Sequence, residues 1–125
     1  MNKRNAPVFL NLVQIRLPVT AIVSILHRLS GLLLFLVLPL FIYALQQSLR
    51  SSESFASLMG QLDSFLVKTI LVILLWSLFH HLFAGLRFLL LDIEMGIQRK
   101  QARKTAWWVN ILAVIVAISI SWGYL

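Results

Sequence analysis

Three stretches of this chain, 29–49, 69–86 and 105–125, carry no Asp, Glu, Lys or Arg. Each is close to the roughly twenty helical residues that cross a hydrocarbon layer about 30 Å thick, and each therefore reads as one crossing. A buried helix of a soluble protein would account for any one of them. Three within 125 residues leave too little polar surface for a soluble fold, because 60% of the chain is hydrophobic and 12% is charged. Soluble domains carry about 25% charged residues. The fold expected is an all-α membrane protein with three transmembrane helices, built as a single domain over 1–125.

The helices are expected at about 20–47, 65–91 and 105–124. Pro39 falls inside the first and predicts a mild kink. The segment 1–19 holds Pro7 and Pro18 and reads as an irregular or surface-lying cytoplasmic lead-in. Between the first two spans, "SLRSSESFASLMGQLDS" has room for a short interfacial helix over 55–62.

The net charge is +7. In a soluble protein such a balance would point to nucleic acid. Here the cations flank apolar runs, so the partner is membrane lipid and no nucleic-acid role is expected. Lys3, Arg4, Arg16 and Arg28 lie before or just inside the first span. Arg87, Arg99, Lys100, Arg103 and Lys104 surround the connection between the second and third, whereas Arg50 and Lys68 in the first connection are balanced by Glu53 and Asp63. The positive-inside rule puts the N-terminus and the second connection in the cytoplasm and the C-terminus in the periplasm. Trp107 and Trp108 at one end of the third span, with Trp122 and Tyr124 at the other, fit two interfacial belts. With no cysteine, the chain holds no iron–sulfur cluster or zinc–thiolate site by itself. The start, 1–7, is too short and polar for a signal peptide. With no transit peptide ahead of the first span, a bacterial inner membrane is expected.

Four ionisable side chains sit well inside the spans: His27, Arg28, His80 and His81, with Arg87 near the end of its helix. Such groups are expensive in lipid and face a bundle interior, a cavity or a cofactor. Ser24, His27, Arg28 and Gly31 are spaced i, i+3, i+4, i+7 and share one helical face. In the second helix, which runs the opposite way, His81, Gly85, Phe88 and Asp92 form one stripe; His80, Arg87 and Glu94 form its neighbour. At 1.5 Å per residue, His27 is about 10 Å from its helix start and His81 about 9 Å beyond Arg87, so the two share a depth. Gly31 and Gly85 remove bulk where a flat ligand or another helix could approach. Four uses remain open: helix–helix hydrogen bonding, a histidine metal site, a proton relay, and axial ligation of haem. No carboxylate at that depth supports the second or third. Arg and a second His suit haem propionates.

The motifs "SILHRLSG" and "HHLFAGLRFLLLD", with the lead-in "RNAPVFLNLVQIRLPVTAIVSILHR", resemble the cytochrome b membrane-anchor subunit of bacterial succinate dehydrogenase. That family shows Ser-x-x-His-Arg-x-(Ser/Thr)-Gly in the first span and His-x-x-x-Gly-x-Arg-His-x-x-x-Asp at the end of the second. The likeness covers nearly the whole chain. It implies half of a heterodimeric helical bundle, with haem b shared with a second hydrophobic anchor subunit, and an iron–sulfur subunit and a flavoprotein subunit as further partners. It implies His81 as haem axial ligand rather than His80, with His27 and Arg28 beside the propionates. Ser24 and Arg28 fall at the ubiquinone site and Asp92 near its entrance. Ser24 would hydrogen-bond a quinone carbonyl, and Arg28 would meet the negative charge that develops there. The chain departs from the family at Phe88, where the motif has His; the propionate contact made from that place is missing or is supplied otherwise, by His80 or a partner. Succinate itself is oxidised elsewhere, by the flavoprotein. Two rival readings are an anchor of a quinol:fumarate reductase, favoured where the membrane holds menaquinone, and a haem-free structural subunit.

Overall fold

A computed structural model describes residues 17–124. Lys3, Arg4, Arg16 and most of the lead-in lie outside the described residues. Four helices follow in order: α1 (Val19–Arg50), α2 (Ser52–Leu62), α3 (Phe65–Asp92) and α4 (Arg99–Tyr124), with no strand among the described residues. Three of them, α1, α3 and α4, are long and apolar enough to cross a membrane. The chain is an all-α, multi-pass membrane protein.

Local chemistry sets the ends of these helices. Pro18 is extended (ψ 150°), and its carbonyl accepts from the amides of Ala21 and Ile22 at 2.9 and 3.2 Å. It thus satisfies donors that a new helix leaves orphaned. α1 continues unbroken through Pro39. Ser51 then turns extended (φ −162°) and stops it. Ser51 and Ser54 form a reciprocal capping box at the head of α2, each amide donating to the other's hydroxyl oxygen at 3.1 Å. The Ser54 hydroxyl also donates to the Gln47 carbonyl at 2.7 Å, tying α2 back to the end of α1. α2 begins at Ser52, ahead of the expected 55, because this box supplies a start that apolar periodicity does not show.

At the start of α3, Lys68 of its first turn pairs with Asp63 just ahead of it at 2.8 Å. This ammonium, by hydrogen bond and by charge, holds the Asp63 carboxyl below its usual range. α3 ends in a Schellman motif: the Met95 amide donates to the Leu90 carbonyl at 2.9 Å and the Glu94 amide to Leu91 at 3.0 Å. Glu94 takes the left-handed turn at φ 62°, a place that favours glycine, and Gly96 follows at φ 78°. α4 starts at Arg99, ahead of the expected 105. Its first two turns carry Arg99, Lys100, Arg103 and Lys104 and no acid in the first turn, against the helix dipole.

α3 packs against both α1 and α4. Lipid is as apolar as leucine, so close approach rather than water exclusion holds such helices together. The buried α4 residues are Ala106, Val109, Ala113 and Ala117, all on one face. Val19 and Val23 of α1, Ala84 of α3, and Ala106 and Val109 form one buried cluster, flanked by Phe83 and Phe88. It ties the start of α1, the end of α3 and the start of α4 together.

Candidate functional site: a histidine pair between α1 and α3

His27 of α1 and His81 of α3 meet face to face, their ring centroids 4.2 Å apart and their planes within 6°. Each ring sits over the other helix's glycine. A Cβ on Gly31 would lie 2.8 Å from His81 Cε1 and 3.1 Å from Nδ1. A Cβ on Gly85 would lie 3.5 Å from His27 Nε2. Glycine at position 31 is what lets the His81 ring lie against α1.

The hydrogen bonding of His81 fixes its tautomer. Nδ1 lies 3.1 Å from the backbone carbonyl of His27. A carbonyl only accepts, so Nδ1 carries the proton. In the neutral ring the lone pair is then on Nε2, which has no hydrogen-bond partner among the described residues. An imidazole held through Nδ1–H by a carbonyl, with Nε2 free, is the arrangement used for metal ligation. Among the described residues no three His, Asp or Glu side chains gather, so these residues alone do not build a multidentate metal site. The donor set suits a group that brings its own equatorial ligands.

Ser24 is half-buried and Arg28 exposed on the same face of α1. Neither side chain makes a hydrogen bond to another described residue. Asp92, the last residue of α3, is exposed. Phe88 meets His27 edge-on at 5.2 Å. Where the family motif has a polar ring, this chain puts an apolar wedge against the pair.

His80 turns the other way. It is fully buried, and its Nε2 lies 3.1 Å from Asn110 Oδ1 on α4. Trp76 covers it at 5.3 Å. Adjacent helical residues point about 100° apart, so one histidine faces α4 while the next faces α1. His80 therefore does not reach the flank that Phe88 leaves without a polar group. Arg87 also faces α4, donating from Nε to Thr105 Oγ1 at 3.1 Å and from Nη2 to the Ala102 carbonyl at 3.0 Å.

Three residues that belong to this arrangement were not singled out from sequence. Ser30 is buried and donates to the His27 carbonyl at 3.0 Å. Asn110 and Thr105 hold His80 and Arg87. Asn110 did carry a signal, as a carboxamide in an otherwise apolar run. Ser30 carried a weaker one, as a hydroxyl three residues beyond His27.

The family profile described as succinate dehydrogenase/fumarate reductase transmembrane subunit matches residues 2–120. The succinate dehydrogenase cytochrome b556 subunit of Coxiella burnetii is 36% identical over 113 residues, 90% of either chain. That of Paracoccus denitrificans is 33% identical over 118 residues, covering 94% of this chain and 91% of its own. The cytochrome b560 subunit of Reclinomonas americana is 32% identical over 123 residues, 94% of this chain and 85% of that one. Likeness of this extent, over a chain of three spans with a paired histidine seam, shows that the protein belongs to the family of succinate dehydrogenase cytochrome b subunits, the membrane anchors of that oxidoreductase.

Proposed function

We propose that the chain, acting as one domain over 1–125, binds haem b through His81 Nε2 and forms part of the ubiquinone-reduction site of the complex. The observation that carries this reading is the His81 Nδ1 bond to the His27 carbonyl, which in the neutral ring puts the lone pair on the opposite nitrogen. When bound, haem b supplies a one-electron redox centre beside the quinone site. His27 and Arg28 offer donors to its propionates, and Phe88 offers none, so a further propionate contact comes from a partner subunit. Ser24 positions a quinone carbonyl by hydrogen bonding, and Arg28 presents a fixed positive charge where the quinone oxygen gains electrons. Asp92 lies at the pocket entrance.

The partners are a second hydrophobic anchor subunit, which completes the haem pocket, an iron–sulfur subunit that delivers electrons, and a flavoprotein that oxidises succinate. The site opens toward the cytoplasmic side of a bacterial inner membrane, with the C-terminus periplasmic. The basic start of α4 supports this orientation, because anionic headgroups offset charges that the helix dipole opposes. The test is the reduced-minus-oxidised spectrum of the purified complex. His81→Ala removes the b-haem signal and His80→Ala keeps it; the reverse outcome overturns the ligand assignment. For the quinone role, Ser24→Ala and Arg28→Ala slow quinone reduction and spare succinate oxidation by an artificial acceptor. Equal loss in both assays refutes that role.

A further inference from the structure

The His27 carbonyl accepts two side-chain donors at once: His81 Nδ1–H at 3.1 Å from α3, and Ser30 Oγ–H at 3.0 Å from its own helix. In an α-helix it is also the acceptor for the backbone amide four residues on, that of Gly31. A carbonyl oxygen has two lone pairs, so three donors crowd one atom. Ser30 is only 2% exposed, and its hydroxyl has no other acceptor among the described residues.

We propose that Ser30 is a positioning residue that sets how strongly the His27 carbonyl holds the His81 imidazole, and through it how much electron density reaches His81 Nε2. The inference rests on His81 being the haem ligand. Each added donor draws charge from the oxygen, so a shared acceptor holds every partner more weakly than an unshared one. With Ser30 present, the Nδ1–H bond is softened and the ring keeps less negative character. Nε2 is then a weaker donor to iron. Hydrogen bonds to the far nitrogen of a ligating histidine are among the levers that tune a metal centre and its potential. Packing alone gives little reason for a serine here. A buried serine bonding back along its own helix slightly destabilises and bends it, and α4 fills comparable buried positions with Ala106, Ala113 and Ala117.

The experiment is a potentiometric titration of the b haem in the intact, purified four-subunit complex carrying wild-type chain, Ser30→Ala or Ser30→Thr. Ser30→Ala is expected to keep its haem content and to move the midpoint potential to more negative values, since a richer Nε2 favours ferric iron. Ser30→Thr, which keeps the hydroxyl, is expected to titrate with the wild type. An unmoved or more positive midpoint in Ser30→Ala overturns the proposal, and so does loss of haem from that variant, which would make Ser30 a structural part of the pocket. His81→Ala separates the two levels. A b haem surviving that change overturns the ligand assignment and this proposal with it. An unmoved Ser30→Ala midpoint beside a colourless His81→Ala complex overturns this proposal alone.

Discussion

α3 has two seams, and they are built on opposite principles. Toward α4 it is closed: His80 is fully buried against Asn110, and Arg87 is 6% exposed and anchored to Thr105 and the Ala102 carbonyl. Toward α1 it is open: His27 and His81 are half-buried, and Arg28 is exposed. On the first side His80 Nε2 and Arg87 find partners on α4, while the buried His80 Nδ1 has none among the described residues. On the second, His81 Nδ1 is held by the His27 carbonyl, while His81 Nε2 and the Arg28 guanidinium make no hydrogen bond to another described residue. One helix therefore directs His80 to α4 and His81 to α1, although the two are neighbours in sequence.

The most severe way to break this contrast is Gly31→Ala. The new methyl would start 2.8 Å from His81 Cε1, and the ring must leave its seat against α1. Loss of the b-haem spectrum, with the four subunits still co-purifying, is the expected result. A normal spectrum would mean that the ring has slack the packing does not show.

His80→Ala attacks the closed seam instead. It opens a cavity and orphans Asn110, which together destabilise by about 2–3 kcal/mol. The expected readout is a lower thermal midpoint in detergent with the haem spectrum unchanged. A spectral change without loss of stability would invert the division between the seams.

Two smaller changes sharpen the comparison. Glu94→Gly, at the turn that returns the chain along the closed seam, relieves a left-handed residue (φ 62°) and should stabilise by about 1 kcal/mol. Thermal unfolding of the complex checks it. Gly85→Ala places a methyl 3.5 Å from His27 Nε2, an ordinary contact, and leaves haem content and unfolding unchanged to within about 1 kcal/mol. The unequal outcome of alanine at Gly31 and Gly85 is itself a test of which histidine is held tightly.

The spans, the shared depth of His27 and His81, and the different faces of His80 and His81 were all legible in the sequence, because periodicity and hydropathy act along one chain. The partners of the buried groups were not. Nothing local shows that Asn110 lies opposite His80 or that Arg87 turns to Ala102, since those pairings depend on how α4 docks. The start of α4 was hidden for another reason. Arg99, Lys100, Arg103 and Lys104 end an apolar stretch, yet Lys and Arg are good helix formers, so helix and span do not share a boundary.

α1 is 32 residues long, about 48 Å at 1.5 Å per residue, against hydrocarbon about 30 Å thick. Absorbing the excess by leaning alone would require an angle of about 50°, beyond the 0–40° that membrane helices adopt. Its final turn, with Gln46, Gln47, Ser48 and Arg50, therefore rises out of the oil as a rigid post. α2 is pinned to that post by the Ser54–Gln47 bond, so the position of the shortest helix follows that of the end of α1.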